Sequence, residues 1–419
     1  MLASASVSSC APGALPSATR VVAQDDTPLS VALLDSHAER MKPLIDEYAS
    51  QIGIEIEITP LAYGELYSQL SLALTQRSPA FDVVSLDDPW IPQFASFLTA
   101  IDSDNHLSDD VVPVANAVSR YPEDAMPCGL PWLGDSQFLV TRPAWLERTA
   151  LEPPVTWSET TDTAAVLADQ LPVDDELAAF AISTLNPHQI VDSFLPILRG
   201  CGKELIDPET SVPQLDTPEA LEAVGYFQQL AALSPLESSA TGEPSNMQRF
   251  DAGEIAMMSN FWASGLLASV GVQSTQKAGP IACDLQPAQA GIERRSMTGV
   301  WIAGIPIGSE RPGEALDFIE WLVSTSTQRA MVELTLPPVL APVYADDALI
   351  DAQPHLPQLL DLLAGSQPRP RSPYYPQLEL LLATGLASLL DGQKTCEDAV
   401  RDANIAMREF LAREGVSES

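Results

Sequence analysis

The chain has 419 residues, of which 21 are Lys or Arg and 57 are Asp or Glu, so its formal net charge is −36. This length exceeds one ordinary hydrophobic core and predicts about two or three domains. A phosphate backbone or an anionic membrane surface would repel so acidic a protein, which argues against nucleic acid as a partner. The 46% apolar share is enough for packed, globular domains.

Residues 1–27 are predicted to lie outside the folded lobes. They are rich in Ser, Ala and Pro and lack the basic start and long apolar core of a complete secretory signal. The stretch VSSC, ending at Cys10, resembles a lipobox, in which a cysteine after small residues becomes the lipid-modified N-terminus. We expect an export or lipoprotein-type leader or a flexible tether, and a location in the periplasm or on the outer face of the cytoplasmic membrane. A merely disordered Ser/Ala tail is the alternative.

Apolar periodicity in residues 28–87 predicts strands that alternate with helices. PLSVALLD predicts a strand and SHAERMKPLIDEYASQIG the helix after it. IEIEITPLAY alternates as a second strand, GELYSQLSLALTQ has helical spacing, and FDVVSL predicts a third strand. This order favours a parallel sheet with helices on both faces, in which ligands bind beyond the carboxyl ends of the strands.

The pattern changes after residue 125. AMPCGLPWLGDSQFLVTRPAWLE is rich in Pro and Gly with a strand on each side, which indicates a crossing between two lobes. TWSETTDTAAVLADQL and LDTPEALEAVGYFQQLAAL predict helices, so the second lobe is expected to be helix-rich. The uncharged residues 255–276 include Ser, Asn, Gly and Gln, and we expect them to form a helix packed on a soluble core.

Four further cysteines are far apart in the chain, and the four histidines have no metal-ligand spacing. We therefore expect no metal site. Disulfides and buried free thiols remain equally open for Cys128, Cys201, Cys283 and Cys396.

Several separated segments, read in order over residues 28–411, resemble the family 1 extracellular solute-binding proteins of bacterial ABC importers, the maltose-binding-protein-like sugar binders. The segments are FDVVSLDDPWIPQFA, GLPWLGDSQFLVTRPAWLE, PVTWSE, DSFLPILRGCGKELID, LDTPEALEAVGYFQQL, FDAGEIAMMSNFWASG, GVWIAGIPIGSERPGEALDFIEWLVS and RPRSPYYPQLELLLATGLASLLDGQKTCEDAVRDA. The resemblance implies an α/β, two-lobe periplasmic-binding-protein fold with a hinge and a ligand cleft between the lobes. We expect lobe 1 to comprise residues 28–131 and 280–325, and lobe 2 to comprise residues 132–279 and 326–419.

Acidic residues near the expected cleft are candidates to accept hydrogen bonds from hydroxyl groups. Asp87 ends the third strand and is expected to contact the ligand, whereas Asp88 is expected to cap the next helix. Asp135 follows the crossing, with a turn aspartate as the alternative. Glu39 is similar in position to a sugar-contacting acid of the family, and a solvated acid at a helix start is its alternative.

Aromatic and cationic residues complete the candidate site. Trp90 shapes the wall beside Asp87, and Trp262 is similar to a tryptophan that stacks on a sugar ring, with an interior tryptophan as the alternative. Gly299 and Trp301 resemble the Gly-x-Trp segment of the family, although Val300 departs from the commoner Gly-Gly-Trp. The choice between Arg369 and Arg371 is open, and Tyr374 and Tyr375 lie beside them in the sequence. A polar-aromatic rim is expected beyond the second strand, from Tyr63, Tyr67, Ser68 and Gln69.

The excess of acids in this set favours a neutral, hydroxyl-rich ligand over an anion. We expect a disaccharide, a small oligosaccharide or a glycosylated compatible solute, delivered by a monomer to ABC permease subunits without a cofactor. A polyol, a betaine or a polyamine is the nearest alternative. A glycoside hydrolase with paired carboxylates is the enzymatic alternative, but no residue pattern marks a catalytic group, so we expect no enzyme activity. A partner of a sensor kinase would share the fold.

Overall fold

The computed structural model describes residues 27–102, 106–170, 177–208, 210–234, 238–270 and 279–416. Cys10 and most of the expected leader lie outside these ranges. The described residues form a mixed α/β structure around one nine-stranded sheet. Its strands are β1 (Leu29–Leu34), β2 (Ile56–Leu61), β3 (Val83–Asp87), β4 (Leu130–Thr141), β5 (Ala178–Ala181), β6 (Ile255–Trp262), β7 (Ala282–Asp284), β8 (Ser296–Gly304) and β9 (Ser366–Gln367).

Helices cover both faces of the sheet. In chain order they are α1 (Asp35–Ile52), α2 (Tyr63–Thr75), α3 (Ile91–Phe94), α4 (Pro113–Val118), α5 (Pro143–Thr149), α6 (Trp157–Gln170), α7 (Pro187–Gly200), α8 (Pro218–Ala232), α9 (Ser238–Ala252), α10 (Ala263–Ser269), α11 (Pro312–Leu322), α12 (Thr325–Glu333), α13 (Ala341–Tyr344), α14 (Asp347–Ala352), α15 (Leu356–Ala364), α16 (Tyr375–Leu390) and α17 (Cys396–Arg413). Among these helices, none combines the length and the apolar composition that crossing a membrane requires.

The first three strands confirm the predicted parallel arrangement. β1 pairs with β2 from Leu29 opposite Ile56 onwards, and with β3 at Val31 opposite Val83. Because the three strands run in the same direction, their carboxyl ends meet at one edge of the sheet. Asp87 is the last residue of β3 and therefore lies at this edge.

Two long antiparallel strands join the lobes. The strand order is β2-β1-β3-β8-β4-β6-β5, so β8 and β4 lie between the first strands and the later ones. Their register sets Asp87 opposite Trp301, Asp135 opposite Gly299, and Gln137 opposite Trp262. Residues directly opposite each other point to the same face, so backbone pairing alone gathers side chains that are distant in sequence.

Buried side chains form two hydrophobic cores. The first core includes Trp132 and Phe318, and the second includes Trp157 and Phe194. The C-terminal helices α16 and α17 pack in the second core.

Residues 326–364 pack with the first core. Gln328 donates a hydrogen bond to the carbonyl of Trp132, and buried residues of this segment belong to the first core. Further along, Gln358 donates to the carbonyl of Cys283. The bounds of the two lobes along the sequence stay a prediction.

The expectation of a helix over residues 255–276 is wrong at its start. Residues Ile255–Trp262 form β6, which pairs with β4 on one side and β5 on the other, and α10 follows. A central strand that is covered on both faces has a continuous apolar run, which periodicity does not distinguish from a buried helix.

The open question about the cysteines is resolved in favour of free thiols. Cys128, Cys201 and Cys283 are buried, Cys396 is partly buried, and all four are free.

Two helical glycines provide a matched test of this packing. A Cβ atom at Gly200, the last residue of α7, would overlap the Trp157 indole and the carbonyl of Pro287, whereas one at Gly225 in α8 would meet nothing within 4 Å. We expect Gly200→Ala to lower the free energy of unfolding by about 1–3 kcal/mol because of overpacking. Gly225→Ala should raise it by about 0.5–1 kcal/mol. Urea unfolding of both variants measures this, and equal effects would contradict the described packing.

Candidate functional site

A cavity of about 650 Å³ lies between the lobes, at the edge of the sheet where β3 ends. Eight of the residues expected in the site line it: Tyr67, Asp87, Trp90, Asp135, Trp262, Gly299, Trp301 and Arg369. Glu39, Arg371 and Tyr375 are not in its lining. Tyr63 of the expected polar-aromatic rim also lines the cavity. The lining further contains residues that were not expected from the sequence: Leu34, Ser36, His37, Gly64, Asn186, Pro187, His188, Gln189, Pro244, Ser264, Pro376, Glu379 and Leu380.

One wall of the cavity is aromatic. The ring centroids of Trp90 and Trp301 are 5.9 Å apart, with the planes nearly perpendicular. Tyr63 and Tyr67 pack against Trp90 with centroid distances of 4.8 and 5.4 Å. Such rings offer flat apolar faces to the C–H groups of a pyranose or to the carbon chain of a polyol.

Asp87 is held by protein groups on both of its oxygens. Oδ1 lies 2.5 Å from Nη2 of Arg369 and accepts the backbone N–H of Asp88 at 3.0 Å. Oδ2 accepts the hydroxyl of Tyr63 at 2.8 Å. Asp87 therefore caps the short 3₁₀ turn that follows β3, a role that was expected of Asp88.

Asp88 is fully buried behind the cavity wall. Its Oδ2 accepts the hydroxyl of Thr298 at 3.0 Å and lies 3.3 Å from Nη2 of Arg369. Burial raises the pKa of Asp88 to about 6, and the positive charge of Arg369 opposes that rise. Its partners are buried side chains, so the expected helix cap is wrong for this residue.

The two arginines occupy different places. Arg369 is 1% exposed and lines the cavity, and its Nη1 lies 3.7 Å from Asp192 in α7. Arg371 donates to the backbone carbonyls of Asp88, Val118 and Arg120, which fixes the chain behind the cavity. Of the two candidates, Arg369 is the one that lies within reach of a ligand.

A second polar cluster, formed by His188, Asp192 and Glu379, was missed by the sequence reasoning. Nε2 of His188 lies 3.1 Å from Asp192, and Nδ1 lies 3.0 Å from Glu379. Burial lowers the pKa of His188, but the carboxylates of Asp192 and Glu379 raise it by a larger amount, so that the pKa is about 9. The His188 ring stacks on Tyr63 of the other lobe with centroids 4.0 Å apart. Tyr375 contributes indirectly, because its hydroxyl donates to Glu379 at 3.2 Å.

This cluster is also the one group among the described residues whose ligand atoms, within 4.8 Å of one another, could hold a metal ion. Both ring nitrogens of His188 already face carboxylates, so the arrangement is equally that of a protonated histidine. The signal available in the sequence was weak: His188 and Asp192 are four residues apart and therefore share a helix face.

Asp135 and Trp262 form another part of the cavity lining. Oδ1 of Asp135 accepts the backbone N–H groups of Ser136 and Ser264 at 2.9 and 3.2 Å. A Cβ atom at Gly299 would overlap the six-membered ring of Trp262. The glycine thus leaves room for the indole against the backbone of β8, which gives a packing reason for this residue.

The first helix presents a different residue from the one expected. Glu39 is exposed on α1, whereas His37 is 7% exposed and lines the cavity. Burial and the nearby charge of Arg40 lower the pKa of His37 to about 3, so its ring is neutral at physiological pH.

The fold and the cavity define a two-lobe α/β binding protein. A family model described as "Bacterial extracellular solute-binding protein" matches residues 35–329. The chain belongs to this family, whose members are extracellular binding proteins.

Individual relatives are distant. A "Probable ABC transporter-binding protein" of Deinococcus radiodurans is 25% identical over 246 residues, and the match covers 58% of this chain and 58% of the relative. The chain thus spans a little over half the length of this curated relative in the alignment.

Solved structures share the fold over almost their whole length. Maltose-bound MalE3 of T. maritima has a TM-score of 0.81 at 23% identity, covering 92% of this chain and 99% of that chain. A ribitol complex of a solute-binding protein from Agrobacterium radiobacter K84 has a TM-score of 0.83 at 19% identity, covering 92% and 100%. A D-mannitol-bound protein from Agrobacterium vitis S4 has a TM-score of 0.80 at 19% identity, covering 93% and 99%.

Asp135 allows a test of the electrostatics of the cavity. Burial raises its pKa to about 6, against hydrogen bonds from Ser264 and Ser136 that lower it. Since the folded-state pKa exceeds the unfolded one, the charged carboxylate destabilises the fold above pH 6, and this penalty vanishes below about pH 4.

We expect Asp135→Asn to be more stable than the wild type at pH 7.5, by up to about 3 kcal/mol, because the amide keeps the acceptor oxygen without the charge. The two proteins should converge at pH 4. Urea unfolding over this pH range measures the difference. A variant that is less stable at pH 7.5, or a difference independent of pH, would show that burial of the charged Asp135 carboxylate does not destabilise the fold.

Proposed function

We propose that this protein captures a neutral, hydroxyl-rich solute outside the cytoplasmic membrane and delivers it to an ABC permease. Sugars and sugar alcohols are the solute class that we propose. The observation that carries the proposal is the composition of the cavity, which places five tyrosine and tryptophan side chains beside buried carboxylates and one arginine. Rings bind the carbon skeleton, and the polar groups bind hydroxyls in a site shielded from water.

The charge of the cavity supports a neutral solute. Asp87, Asp135 and Glu379 line the cavity, with Asp192 behind them, while Arg369 and His188 supply the positive charge. An anionic solute would lie beside carboxylates without compensation, which is costly in a buried site. The volume of the cavity, about 650 Å³, lies within the range of sites for small molecules.

The division of the site between two lobes supports capture by closure. Tyr63, Asp87 and Trp90 belong to the first lobe, whereas His188 and Glu379 lie on helices that pack in the second. A solute shifts an open-closed equilibrium only through contacts that differ between the two states, and contacts to both lobes exist only in the closed one. The permease then distinguishes the loaded protein from the empty one.

The comparisons favour the same class of solute. The solved structures with this fold include proteins whose bound ligands are maltose, ribitol and D-mannitol. The curated relative is described as an ABC transporter-binding protein. Delivery to a permease, the monomeric state and lipid attachment through Cys10 are parts of this proposal, as is the absence of catalysis.

A ligand screen tests the proposal. The probes are maltose, trehalose, sucrose, ribitol and mannitol, with betaine and spermidine as cationic comparisons. We expect at least one neutral probe to raise the melting temperature by several degrees, because a ligand at 100 times its Kd stabilises the folded state by about 2.7 kcal/mol. Small-angle scattering should show compaction with the same probe.

Two tryptophan variants serve as controls. Trp262→Ala should abolish the thermal shift, because this ring lines the cavity. Trp145→Ala, at a partly buried tryptophan outside the lining, should retain it. A shift with spermidine or betaine alone would contradict the neutral class. Hydrolysis of maltose, trehalose or sucrose during the incubation would contradict a non-catalytic role.

A further inference from the structure

His37 has a fixed orientation in the wall of the cavity. Its ring meets Trp301 edge-on, with centroids 4.8 Å apart and an interplanar angle of 86°. It meets Trp132 in the same way at 5.6 Å and 88°. Two buried indoles thus hold the imidazole, so its nitrogens have defined directions relative to the cavity.

Neither ring nitrogen of His37 has a hydrogen-bond partner among the described residues, and Nδ1 is sealed from solvent. A neutral imidazole has one N–H donor and one lone pair. A buried donor without an acceptor costs about 1–3 kcal/mol, so a proton on the sealed Nδ1 is unfavourable. The favoured tautomer carries the proton on Nε2, the nitrogen that is not sealed.

We propose that Nε2–H of His37 donates a hydrogen bond to an oxygen atom of the bound solute and thereby selects hydroxyl compounds over ammonium compounds. This inference rests on the proposed function and assigns a residue to it that the family comparison does not supply. A donor at this position requires an acceptor on the ligand. An ammonium group has no lone pair and cannot satisfy it.

Two residues near His37 strengthen the preference for hydroxyl compounds over ammonium compounds. The Asp135 carboxylate, in the same cavity, only accepts hydrogen bonds when ionised. A hydroxyl group both donates and accepts, so a polyhydroxy solute satisfies Asp135 and His37 together. Arg40, one turn after His37 and bonded to the carbonyl of Thr335 at 3.0 Å, adds a positive charge that repels a cationic group.

Two substitutions separate the donor from the shape of the ring. His37→Phe keeps an aromatic ring between the two indoles but removes the donor, and His37→Gln supplies an amide N–H with similar reach. His355, half-buried outside the cavity, provides the control His355→Phe. The probe is whichever of maltose, trehalose, sucrose, ribitol and mannitol the wild type binds most tightly, measured by calorimetry beside spermidine.

We expect His37→Phe to raise the Kd of the neutral probe about tenfold, while His37→Gln recovers part of the loss and His355→Phe changes nothing. Binding of spermidine should not weaken in His37→Phe. A long-range proton–nitrogen NMR spectrum of the wild-type imidazoles should show the proton of His37 on Nε2, without any ligand or substitution.

The outcomes separate this inference from the proposed function. If a neutral probe binds the wild type and His37→Phe equally, the inference fails and the proposed function stands. A proton on Nδ1 in the NMR spectrum would overturn the inference as well. If no neutral probe binds the wild type, the proposed function itself fails and the inference with it.

Discussion

The guanidinium group of Arg369 lies between carboxylates that come from both lobes, and the arrangement of the site depends on it. Asp87 and Asp88 approach it from the end of β3, and Asp192 approaches it from α7. All four residues are almost completely buried, so each charge has lost its hydration. Such groups remain ionised only when opposite charges and hydrogen bonds replace the water, and removing one partner leaves the others uncompensated.

The same constraint explains how the rest of the site is ordered. The oxygens of Asp87 already accept hydrogen bonds from Arg369 and Tyr63. This carboxylate therefore stabilises the cavity wall and has few acceptor positions left for a ligand. Trp90 and Trp301 then pack beside it, since strand register sets Trp301 opposite Asp87. In the proposed function, recognition depends on lining groups that still have free hydrogen-bonding capacity, among which are Asp135 and His37. A buried charged centre and the polar groups of the cavity lining are thus different parts of one site.

Much of this architecture could be predicted from the sequence. Alternating periodicity gave the parallel strands, and the end of β3 followed from the apolar run before Asp87. The aromatic residues at 90, 262 and 301 were identified from the order of the family-like segments: Trp90 follows β3, Trp262 ends β6 and Trp301 lies within β8. The central strand β6 was mistaken for a helix, since an apolar run that is buried on both faces shows neither the alternating pattern of a half-buried strand nor the spacing of an amphipathic helix.

The missed residues have a common physical cause. His188, Asp192 and Glu379 meet only when α7 and α16 pack together, which no local pattern specifies. Glu39 was expected because its position is similar to that of a sugar-contacting acid of the family, and His37 was not considered. In α1, however, the buried residues are His37, Ala38, Met41 and Ile45, so the helical period turns Glu39 to solvent.

The central claim is that Arg369 and Asp87 form one buried, interdependent unit, and a double-mutant cycle tests it most directly. Arg369→Gln and Asp87→Asn are each expected to lower the free energy of unfolding by about 3–5 kcal/mol. The double variant should lose at least about 1.5 kcal/mol less than the sum of the two, as measured by urea unfolding at pH 7.5. Additive losses, within about 0.5 kcal/mol, would contradict the account.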